Sequence, residues 1–521
     1  MSGFEVPPSG ASRRSGGDRL RRSLSALDPP RGGKERIFGN LGELIDKDQD
    51  PEKIAIIDLG EGGPREFSYR QLDEMARGIA RSLLARGLVR GDRVAILSAN
   101  RAEYIAAIFG IMRAGLVAVP VNFKFPRSTT EFILMDAGAK LVFCDAERRP
   151  DCPPNLLPVE FGDLLDGGPF TPITPAPREP AMFLYTSGST GVPKGVVLSH
   201  QSHLWVVQTR LGGQDLSRHR YLIAAPLYHM NALSLAQLAS AAHATVVLLP
   251  QFTAPAYIDA IARYRCTWLT AVPPMIAMML REKERIAAAD FSSVEFVRMG
   301  SAPVSESLMA ALKASIPQAA ITNAYGTTEG GPVVFGPHPK GLPQPELSVG
   351  YPHPQVQTRL TDQGELEMKS PAMMNGYHNR PELPPPFTAD GFYKTGDVFR
   401  SDTNGFHFFI GRTDDMFVSG GENIYPGDVE RMLERHPGIA QACVVPVEDE
   451  IKGTKPVVFV IVKPRYQLSE AEVKEYALTH APAYQHPRFV WFVDSLPLSS
   501  TNKLDRAALR GEAKKRLAAP A

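Results

Sequence analysis

From residue 50 onward, short apolar runs alternate with amphipathic ones, and that alternation limits the chain to few architectures. IAIID (54–58) and RVAIL (93–97) are short, apolar and partly β-branched, which predicts strands. Between them Ser68 and Gln71 have capping-box spacing. Leu72, Met75, Ile79 and Leu83 then recur at helical intervals, and Gly87 suits the stop. AEYIAAIFGIMRAG (102–115) predicts a second helix ending at Gly115, and LVAVPV (116–121) another strand. TVVLLP (245–250) and CTWLTAV (266–272) continue the rhythm. Strand–helix–strand repetition of this kind is the mark of an α/β domain with largely buried strands.

The 521 residues argue for more than one domain, and the last hundred read differently. Pro426 sits where the first helical residue of a short helix belongs, and HPG (436–438) ends it. CVVPV (443–447), KPVVFVIV (455–462) and FVWFV (489–493) are strand-like, and SEAEVKEYALTHA (469–481) is a capped helix. A small α+β unit follows, with its boundary inside GRTDDMFVSGGEN (411–423).

Lys plus Arg (57) nearly balance Asp plus Glu (56), so no global field draws the chain to nucleic acid or membrane. Cys144, Cys152, Cys266 and Cys443 are scattered with no CxxC pair, which argues against a disulfide framework or zinc site and fits a reducing cytoplasm. The most apolar stretch, 233–250, contains Gln237, Ser240 and His243, and a buried helix and strand is expected there rather than a membrane span. Residues 1–36 carry eight Lys/Arg and four Asp/Glu among many Gly, Ser and Pro; a disordered basic tail is expected, with a transit peptide as the alternative. Met230, Met275, Met278 and Met279 are expected to be plain core.

YTSGSTGVPKG (185–195) is the densest run of Gly, Ser and Thr that carries a lysine. It lacks the Walker A order, because Pro193 precedes Lys194 and Gly195 follows it. Two apolar strand-like runs, AMFLY and GVVLSH, frame it. A loop so framed, rich in backbone N–H groups and hydroxyls, suits an anion; a flexible surface linker is the alternative. NAYGTTEGG (323–331), GSAP (300–303), YKTGDV (393–398) and LPLSSTNKLDR (496–506) would each pass alone for a turn or a solvated surface.

Taken in order, these segments resemble the acyl-adenylate-forming superfamily: acyl- and aryl-CoA synthetases, adenylation domains and firefly-type luciferases. The resemblance covers roughly 40–510. It implies a luciferase-like fold, with a large multi-subdomain N-terminal α/β domain (37–413) and a small mobile C-terminal α+β domain (414–521). It implies ATP, Mg²⁺ and CoA as cofactors and a small-molecule carboxylate as substrate, with a homodimer left open. Thr186, Ser187, Gly188, Ser189, Thr190, Gly191 and Lys194 would hold the β- and γ-phosphates. Ser301, Ala302, Asn323, Ala324, Tyr325, Gly326 and Thr327 would line the nucleotide site, with Tyr325 stacked on adenine. Thr328 would donate to the α-phosphate, and Glu329 with Thr186 would bind Mg²⁺, a cation that prefers oxygen ligands. Asp397 would accept the ribose diol and Arg412 would be a second anchor. Gly300, His229 and Met230, the last two in PLYHMNAL (226–233), would line the acyl pocket, although a core histidine fits His229 equally.

The catalytic residue implied is Lys503, where Asn502 replaces the glycine more usual before it. Asp414 would be the hinge, and Ser419, Gly420 and Gly421 would guide the pantetheine arm of CoA. The expected reaction is carboxylate plus ATP to acyl-adenylate and pyrophosphate, then thioester formation with release of AMP. An aromatic or alicyclic acid is the expected substrate, with a medium-chain fatty acid or a carrier-protein acceptor as alternatives. A luciferase-type oxygenase and a non-catalytic nucleotide-binding protein are the other readings.

Overall fold

The computed structural model describes residues 38–164, 168–187, 192–419, 421–450, 452–499 and 504–518. The tail expected over 1–36 lies outside them. Two seven-stranded sheets dominate. In the first the order is Ala320–Ala324, Phe296–Gly300, Trp268–Ala271, Arg220–Ile223, Thr245–Leu248, Ile54–Asp58 and Arg65–Ser68. All neighbours are parallel except the last pair, which is a hairpin. In the second, Leu157–Val159, Ala139–Cys144, Arg93–Leu97, Val117–Pro120 and Pro180–Ser187 run parallel. Pro193–Ser199 and Gly376–His378 then add two antiparallel strands at one edge.

The helices form where the apolar spacing placed them. Tyr69–Ala85 starts at the Ser68/Gln71 capping box and buries Leu72, Met75, Ile79 and Leu83. Gly87 follows it at φ +84°, a left-handed conformation that glycine adopts freely. Ala102–Arg113 is buried all round except at Glu103, because it packs on Tyr69–Ala85 within the main core. The apolar 233–250 stretch is the helix Met230–Ala241 followed by the strand Thr245–Leu248. No described helix is long and apolar enough to cross a membrane.

A third sheet, of four antiparallel strands, was not expected: Gln357–Leu360, Glu365–Lys369, Tyr393–Ser401 and His407–Arg412. The last hundred residues give the expected α+β unit, with Ile439–Asp449 and Gly453–Val462 antiparallel and Phe489–Phe492 parallel to the second. Pro426–Glu434 and Glu470–His480 are its helices, the second with a Ser469/Glu472 capping box. One core expectation fails. Met279 is buried, but Met278 is 40% exposed, since it lies on the outer face of the helix Pro273–Arg281. All four cysteines are free and buried.

The helix pair depends on a close approach at Gly110. A Cβ there would lie 2.6 Å from the Ala76 carbonyl oxygen and 2.9 Å from the Ile79 Cβ. Helix propensity alone favours Ala over Gly by about 1 kcal/mol. Overpacking against a backbone oxygen costs about 1–3 kcal/mol and reverses the sign. Gly110→Ala is therefore expected to lower the thermal midpoint; an unchanged or raised midpoint would show that the helices slide apart freely.

Candidate active site

The strands of the first sheet end at a cavity of about 1590 Å³. Ala225, Val272, Gly300 and Tyr325, at or just past the carboxyl ends of four parallel strands, all line it. Such ends are where open α/β sheets bind ligands. Thr186 and Lys194 enter from the second sheet, where they are register partners in the hairpin framing the glycine-rich loop.

That hairpin is braced from below. The Tyr185 hydroxyl donates to Asp136 at 2.6 Å, and Arg380 pairs with Asp136 at 2.8 Å while donating to the Pro193 carbonyl at 2.9 Å. Gly195 leaves room for Tyr185, whose ring carbon would lie 2.9 Å from an added Cβ. Gly188, Ser189, Thr190 and Gly191 lie outside the described residues, and Ser187 is described for its backbone only.

The carboxylate expected at the ribose is built with care. Gly396, at φ +68°, precedes Asp397, which is 4% exposed. The Tyr325 hydroxyl donates to one Asp397 oxygen at 2.5 Å, and Arg412 Nη1 to the other at 2.8 Å. Arg412 Nε donates to Asp414 at 2.7 Å, so one guanidinium joins Asp397 to the expected hinge. Burial pushes the Asp397 carboxyl up to about 6, although Arg412 and Tyr325 both favour its charge. The Tyr325 ring lines the cavity and meets Phe399 edge-on at 4.9 Å.

Glu329 accepts from the Tyr377 hydroxyl at 3.1 Å, and its backbone carbonyl accepts from Met374 N at 2.8 Å. Among the described residues no cation pairs with it. Lys194 Nζ lies 5.6 Å from the centre of the same Tyr377 ring. A carboxylate lining the cavity, without a counter-ion among the described residues and with Thr186 lining the same cavity, fits a hard divalent ion that takes its other oxygens from phosphate and water. Asn323, Ala324, Gly326, Thr327 and Thr328 line the cavity as expected, and Thr327 Oγ1 accepts from Gly330 N at 2.8 Å to hold the turn.

On the far wall, Gly300, Ser301 and Ala302 lie beside His229 and Met230 in the lining. A Cβ on Gly300 would meet the Ala324 carbonyl oxygen at 2.9 Å, and Ser301 sits at φ +66°. Met230 Sδ lies 3.3 Å from Nε2 of the fully buried His203, whose pKa burial pushes down to about 4. Tyr377 and Arg298 also line the cavity and were missed by sequence reasoning. Each is one polar side chain within an apolar or irregular run, with no spacing to mark it.

The structure brings most expected residues together but not all. Lys503 and Asn502 lie outside the described residues. Ser499 and Leu504, on either side, line the cavity, and Leu498 and Leu504 are bridged. Ser419 and Gly421 do not line it. They belong to the hairpin Phe417–Ser419/Glu422–Ile424, which is tied to the small unit by Thr454 Oγ1 donating to the Val418 carbonyl at 2.6 Å. Gly420 lies outside the described residues.

Comparison with known proteins agrees with this arrangement. Residues 46–378 match the AMP-binding enzyme family and 428–503 match the AMP-binding enzyme C-terminal domain. The chain belongs to that family. A fatty acid–[acyl-carrier-protein] ligase of Streptomyces coeruleorubidus is 32% identical over 479 residues, 86% of this chain and 91% of the relative. A feruloyl-CoA synthase of Amycolatopsis is 31% identical, covering 87% and 94%. ATP-bound MatB from Rhodopseudomonas palustris superposes with TM-score 0.83 at 27% identity, over 92% of this chain and 100% of that one. The o-succinylbenzoate CoA synthetase of Bacillus subtilis, in complex with ATP and magnesium ion, does so with TM-score 0.75 at 27% identity, over 89% and 97%. The protein is thus an AMP-forming acid–thiol ligase that uses ATP, Mg²⁺ and CoA.

The ionised form of Asp397 is the one that accepts two hydrogen bonds, and it is lost as pH falls through about 6. ATP affinity measured by calorimetry is expected to drop roughly tenfold from pH 7 to pH 5. Asp397→Asn should bind ATP about ten- to a hundredfold more weakly and flatten that profile. An unaltered profile in the variant would remove Asp397 from the nucleotide site.

Proposed function

We propose that the chain activates an aromatic or alicyclic carboxylic acid as its adenylate and transfers the acyl group to CoA, with Lys503 as the catalytic residue of the first step. The observation that carries this reading is the shared cavity. Ser499 and Leu504, which bracket Lys503 in the chain, line it together with Tyr325, Glu329 and Asp397.

A carboxylate attacking an α-phosphate meets like charge, so the barrier is largely electrostatic. In this reading the Lys503 ammonium and Thr328 stabilise charge on the α-phosphate and the attacking carboxylate. Thr186, Ser187, Gly188, Ser189, Thr190, Gly191 and Lys194 hold the β- and γ-phosphates, and Asp397 with Tyr325 and Arg412 fixes the nucleoside. Glu329 and Thr186 would hold Mg²⁺, which supplies charge neutralisation at the departing pyrophosphate. Holding both reactants in one cavity removes the entropy of a further encounter.

The second half-reaction needs a different surface. A rotation of residues 414–521 about Asp414 would withdraw Lys503 and present Ser419, Gly420 and Gly421 to the acyl carbon. Among the ties that would have to break or bend in that rotation are Arg435 to Glu306 at 2.8 Å, Arg412 to Asp414 at 2.7 Å, Arg431 Nη2 to the Ile410 carbonyl at 3.0 Å and Arg281 to Gln441 at 3.4 Å. The first spans the expected domains and is exposed, so it opposes movement weakly. The ring preference rests on the apolar Met230, Val272 and Met275 and the small Gly300 and Ala302 in the lining of the cavity.

Lys503→Ala is expected to slow pyrophosphate release by about a hundredfold or more. Thioester formation from supplied acyl-adenylate and CoA should be largely spared. Equal loss in both half-reactions would sink the two-surface reading.

A further inference from the structure

Arg298 is the one cationic side chain on the strand Phe296–Gly300. It lies two residues before Gly300, so its side chain points to the same face of the sheet. It sits about 6–7 Å deeper along the strand, away from the nucleotide end. It lines the same cavity as Gly300, Met230 and Asn231. Among the described residues no carboxylate pairs with it, and its hydrogen bond is to the Pro332 carbonyl, at 3.1 Å from Nη2.

A guanidinium keeps its charge at neutral pH, so it cannot escape burial by losing a proton. Arg298 is partly buried, and a charge drawn out of water is normally paired because its desolvation is not otherwise offset. The surroundings of Arg298 deepen that deficit. Its register partner on the next strand is Thr270, 5% exposed, whose hydroxyl has no partner among the described residues. Arg210, on the helix His200–Leu211, is close enough for the two charges to disfavour each other, and burial with that repulsion pushes its pKa down to about 9. Among the described residues Arg210 donates to neutral groups, the Ser234 carbonyl and hydroxyl, each at 3.3 Å. Of the acids that line the cavity, Glu329, Asp397 and Asp414 belong to the nucleotide and hinge region, while Glu306 and Glu346 are paired with Arg435 and Lys313. Arg298 thus lines the cavity without a carboxylate partner among the described residues, and Arg210 behind it adds a second positive charge without lining the cavity itself.

We propose that Arg298, backed by Arg210, binds a second carboxylate of the substrate, so that the acid activated here is a dicarboxylate rather than a purely hydrophobic acid. This rests on the ligase reading above and narrows its substrate class. The planar fork of Arg298 matches a carboxylate in two parallel hydrogen bonds. The ring or short chain between the two carboxylates would span the apolar wall of Met230, Val272 and Met275. The carboxylate nearer the nucleotide is adenylated, while the distal one stays ionised on Arg298.

The test compares matched acids by pyrophosphate release: benzoate with isophthalate and terephthalate, cyclohexanecarboxylate with cyclohexane-1,4-dicarboxylate, and hexanoate with adipate. In at least one set the diacid is expected to exceed its monoacid in kcat/KM by about a hundredfold, since a buried charged site rejects a ligand that leaves it unpaired. Arg298→Met should lower that diacid-to-monoacid ratio by about a hundredfold, and Arg298→Lys, which keeps charge but loses the fork, by less. Monoacids matching or beating diacids in every set would overturn the proposal while leaving the ligase reading intact. So would a ratio unmoved by Arg298→Met in a variant that still binds ATP. Absence of release with every acid would overturn the ligase reading and this proposal with it. Should Arg298→Met not fold, the comparison in the unmodified protein and in Arg298→Lys decides the matter.

Discussion

One guanidinium holds two tasks together. Arg412 ends the strand His407–Arg412 and pairs across the register with Asp397, then reaches forward to Asp414. The Asp397 carboxylate is nearly buried, and without a counter-ion its charge would be expensive. Its ionised form, the one proposed to accept the ribose, therefore depends on Arg412, and Arg412 is also tied to the residue proposed as hinge. A rotation at Asp414 would draw that carboxylate away from Arg412, and with it a negative charge that disfavours the ionised form of Asp397. Nucleotide binding and domain position would then be linked through a single side chain, in either direction.

The remainder of the site follows from where the strands stop. Parallel strands send their carboxyl ends to one edge, so Val272, Gly300 and Tyr325 arrive together although they are far apart in sequence. The hairpin Pro180–Ser187/Pro193–Ser199 belongs to the other sheet and delivers Thr186 and Lys194 to the same cavity. Tyr377 joins the two contributions, since it donates to Glu329 and lies beside Lys194. A phenol between a carboxylate and an ammonium keeps both side chains oriented without neutralising either.

The legible parts of the sequence were those with strong local signals. The strands Ile54–Asp58 and Arg93–Leu97 and the capped helices at Ser68 and Ser469 carry period, cap and stop in a few adjacent residues. The four-stranded sheet over 357–412 carried none. Gln357–Leu360 has no fully buried residue, and register shifts interrupt its neighbours, so no clean alternation survives. At the site, residues within long motifs were found and isolated ones were not. Arg298 reads in sequence as one charge in an apolar strand, and Tyr377 as one aromatic in a loop. Their meaning lies in what faces them across the cavity, which a linear pattern does not contain. Met278 shows the converse, because a helix with apolar residues on most sides still turns one outward.

The small α+β unit is tied internally into one body, which the proposed alternation requires. Glu430, on Pro426–Glu434, accepts from the Val444 backbone at 2.7 Å and from Arg506 Nη2 at 2.8 Å. Arg506 Nη1 donates in turn to the Val444 carbonyl at 2.9 Å. This pair therefore locks the helix Pro426–Glu434, the edge strand Ile439–Asp449 and the start of the last helix, Arg506–Ala518, three residues beyond Lys503. Breaking such a pair leaves an uncompensated buried charge, a cost of about 3–5 kcal/mol. The exposed Arg435–Glu306 contact to the large unit is worth at most about 1 kcal/mol. The weaker tie would yield first, so the proposed motion would be directed to Asp414 instead of into the unit that carries both Lys503 and the Ser419 hairpin.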